Sequence, residues 1–244
     1  MRVRARFTKR GKVRFTSHRD LARMWERALR RAELPMAYTQ GFSPRPKMHF
    51  GLALPTGAES EAEYLDFDIA EPEEGGPTEL DVATLPDRLT PCLPVGITVD
   101  AAVIVDTGLM SLQQAVTSCT WRLDVGGTTA SHAAVVVARA LAADELIVTR
   151  ERKGKAVTDD LRPYILALAV TGEAPEGVVL DAELGTQPRS LRPSELLAVV
   201  DPTLTERRVC RIHQWVTLDG VRSEPLSLGA PVAAPPAHAE VRAS

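Results

Sequence analysis

Pro44 and Pro46 bracket Arg45, and that triplet limits this chain more than any other part of it. Each proline fixes φ, removes a backbone N–H donor and biases the residue before it toward an extended conformation, so residues 43 to 46 cannot be helical. The surrounding segment, Gly41-Phe42-Ser43-Pro44-Arg45-Pro46-Lys47-Met48-His49-Phe50-Gly51, is therefore expected to be a stiff loop that keeps its cations exposed. In an extended path, Arg45 and Lys47 alternate with the prolines and fall on one side, where they suit an anionic ligand such as phosphate.

Periodicity assigns the flanking elements. Val3, Ala5 and Phe7 alternate with Arg2, Arg4 and Arg6, and Val13 and Phe15 alternate with Lys12 and Arg14. Both segments read as strands with an apolar core face and a cationic face. Ser17 followed by Asp20 predicts a helix start, and Leu21, Met24, Trp25, Ala28, Leu29 and Ala32 form the buried stripe of a helix ending at Pro35. Arg19, Arg23, Arg27 and Arg30 recur at spacings of four, four and three, which lines them along one solvent-facing ridge. Residues 48 to 54 and 63 to 69 read as a hairpin, a short helix is expected near 79 to 89, and 96 to 105 is a further strand.

That order, β-α-β-β-α-β, is the split βαβ arrangement, and it recurs downstream with strands near 119 to 125, 146 to 152, 164 to 171, 178 to 184 and 209 to 215 and helices near 131 to 143 and 193 to 200. The expected fold class is α+β, built from two tandem ferredoxin-like units with antiparallel sheets. The units are expected at residues 1–108 and 109–218, and the Pro/Ala/Ser-rich stretch 219–244 is expected to be disordered.

The net charge of −3 hides a segregation. Residues 1 to 50 carry fourteen Lys and Arg against three Asp and Glu, whereas residues 51 to 105 carry one against twelve. Such asymmetry suits a polyanion-binding face, and the excess of Arg favours bidentate phosphate contacts. A second reading stays open: if the basic first strand pairs beside the acidic segment Glu61 to Asp68, cross-strand ion pairs absorb much of the charge.

The basic loop, together with Lys12-Val13-Arg14-Phe15-Thr16-Ser17-His18-Arg19-Asp20-Leu21, Glu26-Arg27-Ala28-Leu29-Arg30-Arg31-Ala32 and Val157-Thr158-Asp159-Asp160-Leu161-Arg162-Pro163-Tyr164-Ile165, resembles the radical-SAM-linked proteins, a bacterial domain of unknown function. The resemblance covers residues 1 to 216 approximately and implies a cobalamin-binding radical-SAM protein as partner and an RNA context. It supplies no reaction.

Motifs for catalysis are sparse. His18-Arg19-Asp20 copies the core of a kinase catalytic loop without the glycine-rich loop or metal-binding motifs that loop requires. There is no phosphate-binding Gly-Lys loop, dinucleotide fingerprint or serine nucleophile elbow. Cys92, Cys119 and Cys210 are far apart, so this chain cannot supply the three closely spaced thiolates of a radical-SAM cluster, and no cofactor is expected in it. Asp159 and Asp160 are read as an acidic turn bracing Arg162, with a partner arginine or a metal as the alternative, and His132 and His213 have no visible partners.

The expected function is a non-catalytic adaptor that helps a cobalamin-binding radical-SAM enzyme recognise RNA or a ribonucleoprotein, with Arg19, Arg23, Arg27, Arg30, Arg45 and Lys47 as phosphate contacts. The alternatives are a metal-independent endoribonuclease using His18 or His49, and a protein-binding scaffold. The absence of a long apolar run, and the alternating arginines where a signal peptide would be apolar, predict a cytoplasmic protein that does not enter a membrane.

Overall fold

The computed structural model describes residues 1–70, 80–152 and 154–228. The Pro/Glu/Gly-rich stretch 72–77 and residues 229–244 of the expected tail lie outside the described residues. The fold is α+β with a mainly antiparallel sheet, as the element order predicts. Its first half contains β1 (Arg2–Lys9), α1 (His18–Arg31), β2 (Met48–Phe50), β3 (Glu59–Asp68), α2 (Leu85–Leu89) and β4 (Ile97–Val105). A short α3 (Leu112–Ala115) leads to β5 (Val116–Gly126), α4 (Ala130–Ala142), β6 (Ile147–Arg152), β7 (Lys155–Asp160), β8 (Ile165–Ala174), β9 (Gly177–Gly185), α5 (Pro193–Val200), β10 (Thr205–Leu218) and β11 (Val221–Ser223).

The strands join in one nine-stranded sheet of order β4-β1-β3-β10-β5-β9-β8, with β2 added to β3 and β11 to β10. Neighbours are antiparallel throughout the described sheet except at the seam between its halves, where β3 and β10 run parallel through Glu59 beside Cys210 and Ser60 beside Arg211. Each half has its own core. Val3, Ala5 and Phe7 of β1 pack with Trp25 and Leu29 of α1 and with Leu65 and Phe67 of β3. Trp121 and Leu123 of β5 pack with Val136 of α4, Leu180 of β9 and Leu196 of α5. Burying side chains of this size stabilises by roughly 1.5–3 kcal/mol each, which is why both periodicities are kept so strictly.

Local chemistry explains the element ends. The Ser17 hydroxyl oxygen accepts from the Asp20 N–H and caps α1, as its sequence predicts. Gly11, at φ +67°, turns the chain out of the sheet, and Gly11–Phe15 winds as a 3-10 turn. The strand expected over 12 to 15 is therefore not formed: Val13 is buried but Phe15 is exposed, and the Gly11 N–H donates to the Glu59 carboxylate instead of a ladder partner. The hairpin strand expected over 48 to 54 ends at Phe50, because Leu52 and Leu54 leave the first core and pack against the second. The strand expected over 146 to 152 does form, but it pairs only with β7, as a hairpin separate from the main sheet.

The C-terminal segment also departs from expectation. Residues 219–228 continue the fold: β11 pairs with β10, and Pro225–Leu228 forms a 3-10 turn over the sheet face opposite α1. There the Pro225 carbonyl accepts from Arg4, and Leu226 packs on Ala62, Tyr64 and Leu112. Composition alone reads this segment as tail because its partners lie far away in sequence.

Candidate functional site

The arginines of β1 each face a carboxylate, Arg2 and Arg4 through hydrogen bonds and Arg6 at longer range. Arg2 lies beside Asp68 at 2.7 Å, and Arg4 holds Asp66 through two bonds of 2.7 and 2.8 Å with both side chains buried. Arg6 reaches Glu224 at 3.9 Å. Burial opposes ionisation of Asp68, yet the Arg2 hydrogen bond and charge, with smaller help from His49 and Lys47, hold its pKa below the ordinary carboxylate value. Along the rest of β3, Glu59 pairs with Arg14 and Arg208, Glu61 with Arg10 and Glu63 with Arg211. All five carboxylates of β3 are thus already committed, and two of them, Asp68 and Asp66, compensate Arg2 and Arg4 across the β1–β3 pair.

Nothing comparable covers α1. Arg19, Arg23, Arg27 and Arg30 are exposed along one ridge, opposite the buried Trp25 and Leu29. Arg23 lies 3.6 Å from Asp20 within the helix, and Arg27 donates to the Arg23 carbonyl. Among the described residues no carboxylate pairs with Arg19, Arg27 or Arg30. From Arg31 the chain runs through buried Leu34 and Met36 into the proline loop, which is a narrow hairpin: Tyr38 bridges Pro46, and Thr39 accepts from the Arg45 N–H. Arg45 and Lys47 are exposed, and Phe42 at the tip is fully so.

The candidate residues do not form one cluster. Met48 and Phe50 pack into the core beneath α1, so Lys47 and His49, which alternate with them, project from the other face of β2, close to Asp68. His18 stands at the start of α1 with its ring edge-on to Phe50 at 5.0 Å, beside a cavity of about 10 Å³, the space of a single water. The fold therefore presents an arginine ridge on the helix side and a loop patch of Arg45, Lys47 and His49, with His18 and His49 on opposite faces of β2.

A third feature escaped the sequence reading. Arg211 of β10 is buried at the seam between the halves. Its Nε and Nη2 hold Glu63 at 3.1 and 2.6 Å, Nη2 also reaches the Leu52 carbonyl at 2.8 Å, and the guanidinium lies 5.4 Å from the Trp121 ring. Lys9 is buried nearby, donating to the carbonyls of Arg14 and Thr16. Burial lowers the Lys9 pKa, Glu63 opposes that effect and Arg211 adds to it. Burial likewise pushes the adjacent Cys119 thiol up to about 11, which keeps it protonated. One signal was legible: Glu63 shares the inward phase of Leu65 and Phe67, and a carboxylate at a core position requires a cation.

The remaining singled-out groups serve the fold. Asp160 accepts from the N–H groups of Leu146 and Arg162, while Asp159 holds Arg150 and lies 3.4 Å from Arg189. The two histidines read as partnerless have partners, His132 bonding Asp201 and His213 bonding Glu224. The three cysteines are free. Among the described residues no group of three His, Cys, Asp or Glu is placed to hold a metal, and no helix is long and apolar enough to cross a membrane.

Fold and surface define a mixed α+β protein in which, among the described residues, exposed arginines line α1 and two further exposed cations, Arg45 and Lys47, lie on the proline hairpin. A family profile described as "uncharacterized protein conserved in bacteria" (DUF2344) matches residues 2–193, and the chain belongs to that family. The match takes in the arginine ridge, the loop and Glu63, and it ends at the first residue of α5. No curated protein matches the chain.

Proposed function

We propose that this chain is a cytoplasmic, non-catalytic adaptor that presents RNA or a ribonucleoprotein to a cobalamin-binding radical-SAM enzyme. The observation that carries the polyanion reading is the contrast in charge pairing: β1 spends Arg2, Arg4 and Arg6 on carboxylates, while Arg19, Arg27 and Arg30 stay exposed with no carboxylate paired among the described residues. Exposed cations contribute little to folding, and a row of them along a helix is free to neutralise phosphates. Arg45 and Lys47, on a hairpin stiffened by two prolines, add a second contact already shaped for its ligand. The enzyme partner is drawn from the resemblance to radical-SAM-linked proteins.

The architecture that suits this role is a pair of ferredoxin-like units, residues 1–108 and 109–218. Two strand orders support that reading. The first half runs β4-β1-β3-β2 and the second β10-β5-β9-β8, which is the same permutation twice, each with helices over one core.

Crosslinking the tagged full chain to RNA in cells, followed by sequencing of the bound RNA, tests the function. Enrichment of defined RNAs that disappears with Arg45→Ala plus Lys47→Ala supports it. Retention of a protein partner that is insensitive to both salt and ribonuclease, without bound RNA, replaces it with a protein-binding scaffold.

A further inference from the structure

At the seam, beside the second core, lies a cavity of about 320 Å³, within the roughly 300–1,000 Å³ range of small-molecule sites. Its walls combine apolar Trp121, Leu184 and Leu52 with polar Gln113, Thr186 and Ser190, and Arg211 lines it from within. The bonds from Arg211 to Glu63 and to the Leu52 carbonyl use Nε and Nη2, and Nη1 makes none of them. The thiol of Cys119, a weak acceptor, also lines the cavity beside Arg211. Exposed Arg192, unpaired among the described residues, stands at the rim.

Charge adds a second argument. Arg211 and Lys9 are both buried, and Arg211 alone contacts Glu63 while Lys9 is held by the carbonyls of Arg14 and Thr16. Buried cations lack the hydration that would offset their charge, so an anion reaching Arg211 through the cavity is attracted more strongly than one at an exposed arginine. A guanidinium nitrogen not used on Glu63, set beside the apolar side chains of Trp121, Leu184 and Leu52, suits an anion on an apolar body, which covers those side chains while the polar groups of Gln113 and Ser190 meet its charged end or water.

We propose that this cavity binds a small monocarboxylate, its carboxylate on Arg211 with Arg192 at the rim and its apolar body against Trp121 and Leu184. The site is independent of the basic ridge, so it holds or fails whether or not the chain binds RNA.

Isothermal titration of the full chain with benzoate, with its neutral counterpart benzamide and with inorganic phosphate tests this. Benzoate is expected to bind at least about tenfold more tightly than either of the other two, one charge-assisted bond accounting for such a ratio. Arg192→Glu and Ala53→Trp, both at exposed rim positions, are expected to weaken benzoate by about tenfold or more while leaving the unliganded melting temperature within about 2 °C. Arg211→Lys keeps the charge beside Glu63 and removes the spare donor, and loss of benzoate binding in that variant identifies the group. Should Arg211→Lys fail to fold, the two rim variants decide alone. Equal binding of benzoate and benzamide, preference for phosphate, unchanged benzoate affinity in both rim variants, or no heat with benzoate overturns the proposal.

Discussion

Two arginines on this chain can look alike in sequence and differ completely in what they do. Arg4 is buried on a bidentate carboxylate, and Arg30 is exposed on a helix ridge. Asp66→Ala strands the Arg4 guanidinium in the interior and is expected to cost about 3–5 kcal/mol in urea unfolding, whereas Arg30→Ala should stay within about 0.5 kcal/mol. Equal costs would mean that the ridge is structural. Asp201 gives the pH dependence. Its pKa is held at about 2 by the hydroxyl and N–H of Thr203, with His132 assisting. The unfolded chain, with an Asp value near about 3.9, binds the proton more readily, so this contribution is complete above that value and lost as pH falls toward the folded one. Glu59 and Asp68 are shifted in the same direction and act with the same sign. Thr203→Ala should therefore be less stable than the parent at pH 5 and converge on it near pH 2, as read by urea midpoints. A gap that persists unchanged near pH 2 would mean that Thr203 acts by packing.

Among the elements, those that bury their own stripe were legible. β1, α1 and β5 each carry a period set by the core they face, and Ser17 marks the start of α1 directly. Gly11–Phe15 was misread because two apolar residues in a five-residue segment fit a 3-10 turn as well as a strand, and the positive φ of Gly11 decides between them. The C-terminal turn was invisible for a different reason. Its anchor, the bond from Arg4 to the Pro225 carbonyl, spans 221 residues, and no local composition encodes it. Truncation after Asp219 removes that acceptor and the Leu226 contact, and is expected to destabilise by about 2–4 kcal/mol in denaturant titration. A truncated chain as stable as the parent would return the segment to the status of a tail. At the hairpin, Pro44→Ala with Pro46→Ala should weaken RNA binding less than Arg45→Ala with Lys47→Ala does, since the first pair loosens the loop and the second removes its charge.

At the scale of the molecule, the sequence carries the identity of the exposed cations but not their distribution. That Lys47 and His49 leave β2 on the face away from α1 follows from the register of β2 on β3, a pairing that periodicity suggests without fixing. The seam was still less legible, because Glu63 and Arg211 meet from 148 residues apart through a parallel contact that the expected antiparallel units do not contain. It ties the halves together through buried charge, and thermal unfolding is accordingly expected as one transition, with Glu63→Ala lowering it by several degrees. Two separated transitions in the parent would show that the seam couples little. The most direct measurement is the salt dependence of RNA binding by the parent and by Arg23→Glu/Arg27→Glu/Arg30→Glu. Recruitment of phosphates by the ridge requires a steep log-log slope in the parent, about 0.7 per phosphate neutralised on a single strand, and loss of binding in a variant that melts within about 2 °C of it. No RNA bound by the parent at low salt, together with a triple variant whose melting temperature falls by more than about 8 °C, would contradict it and make the ridge a structural surface.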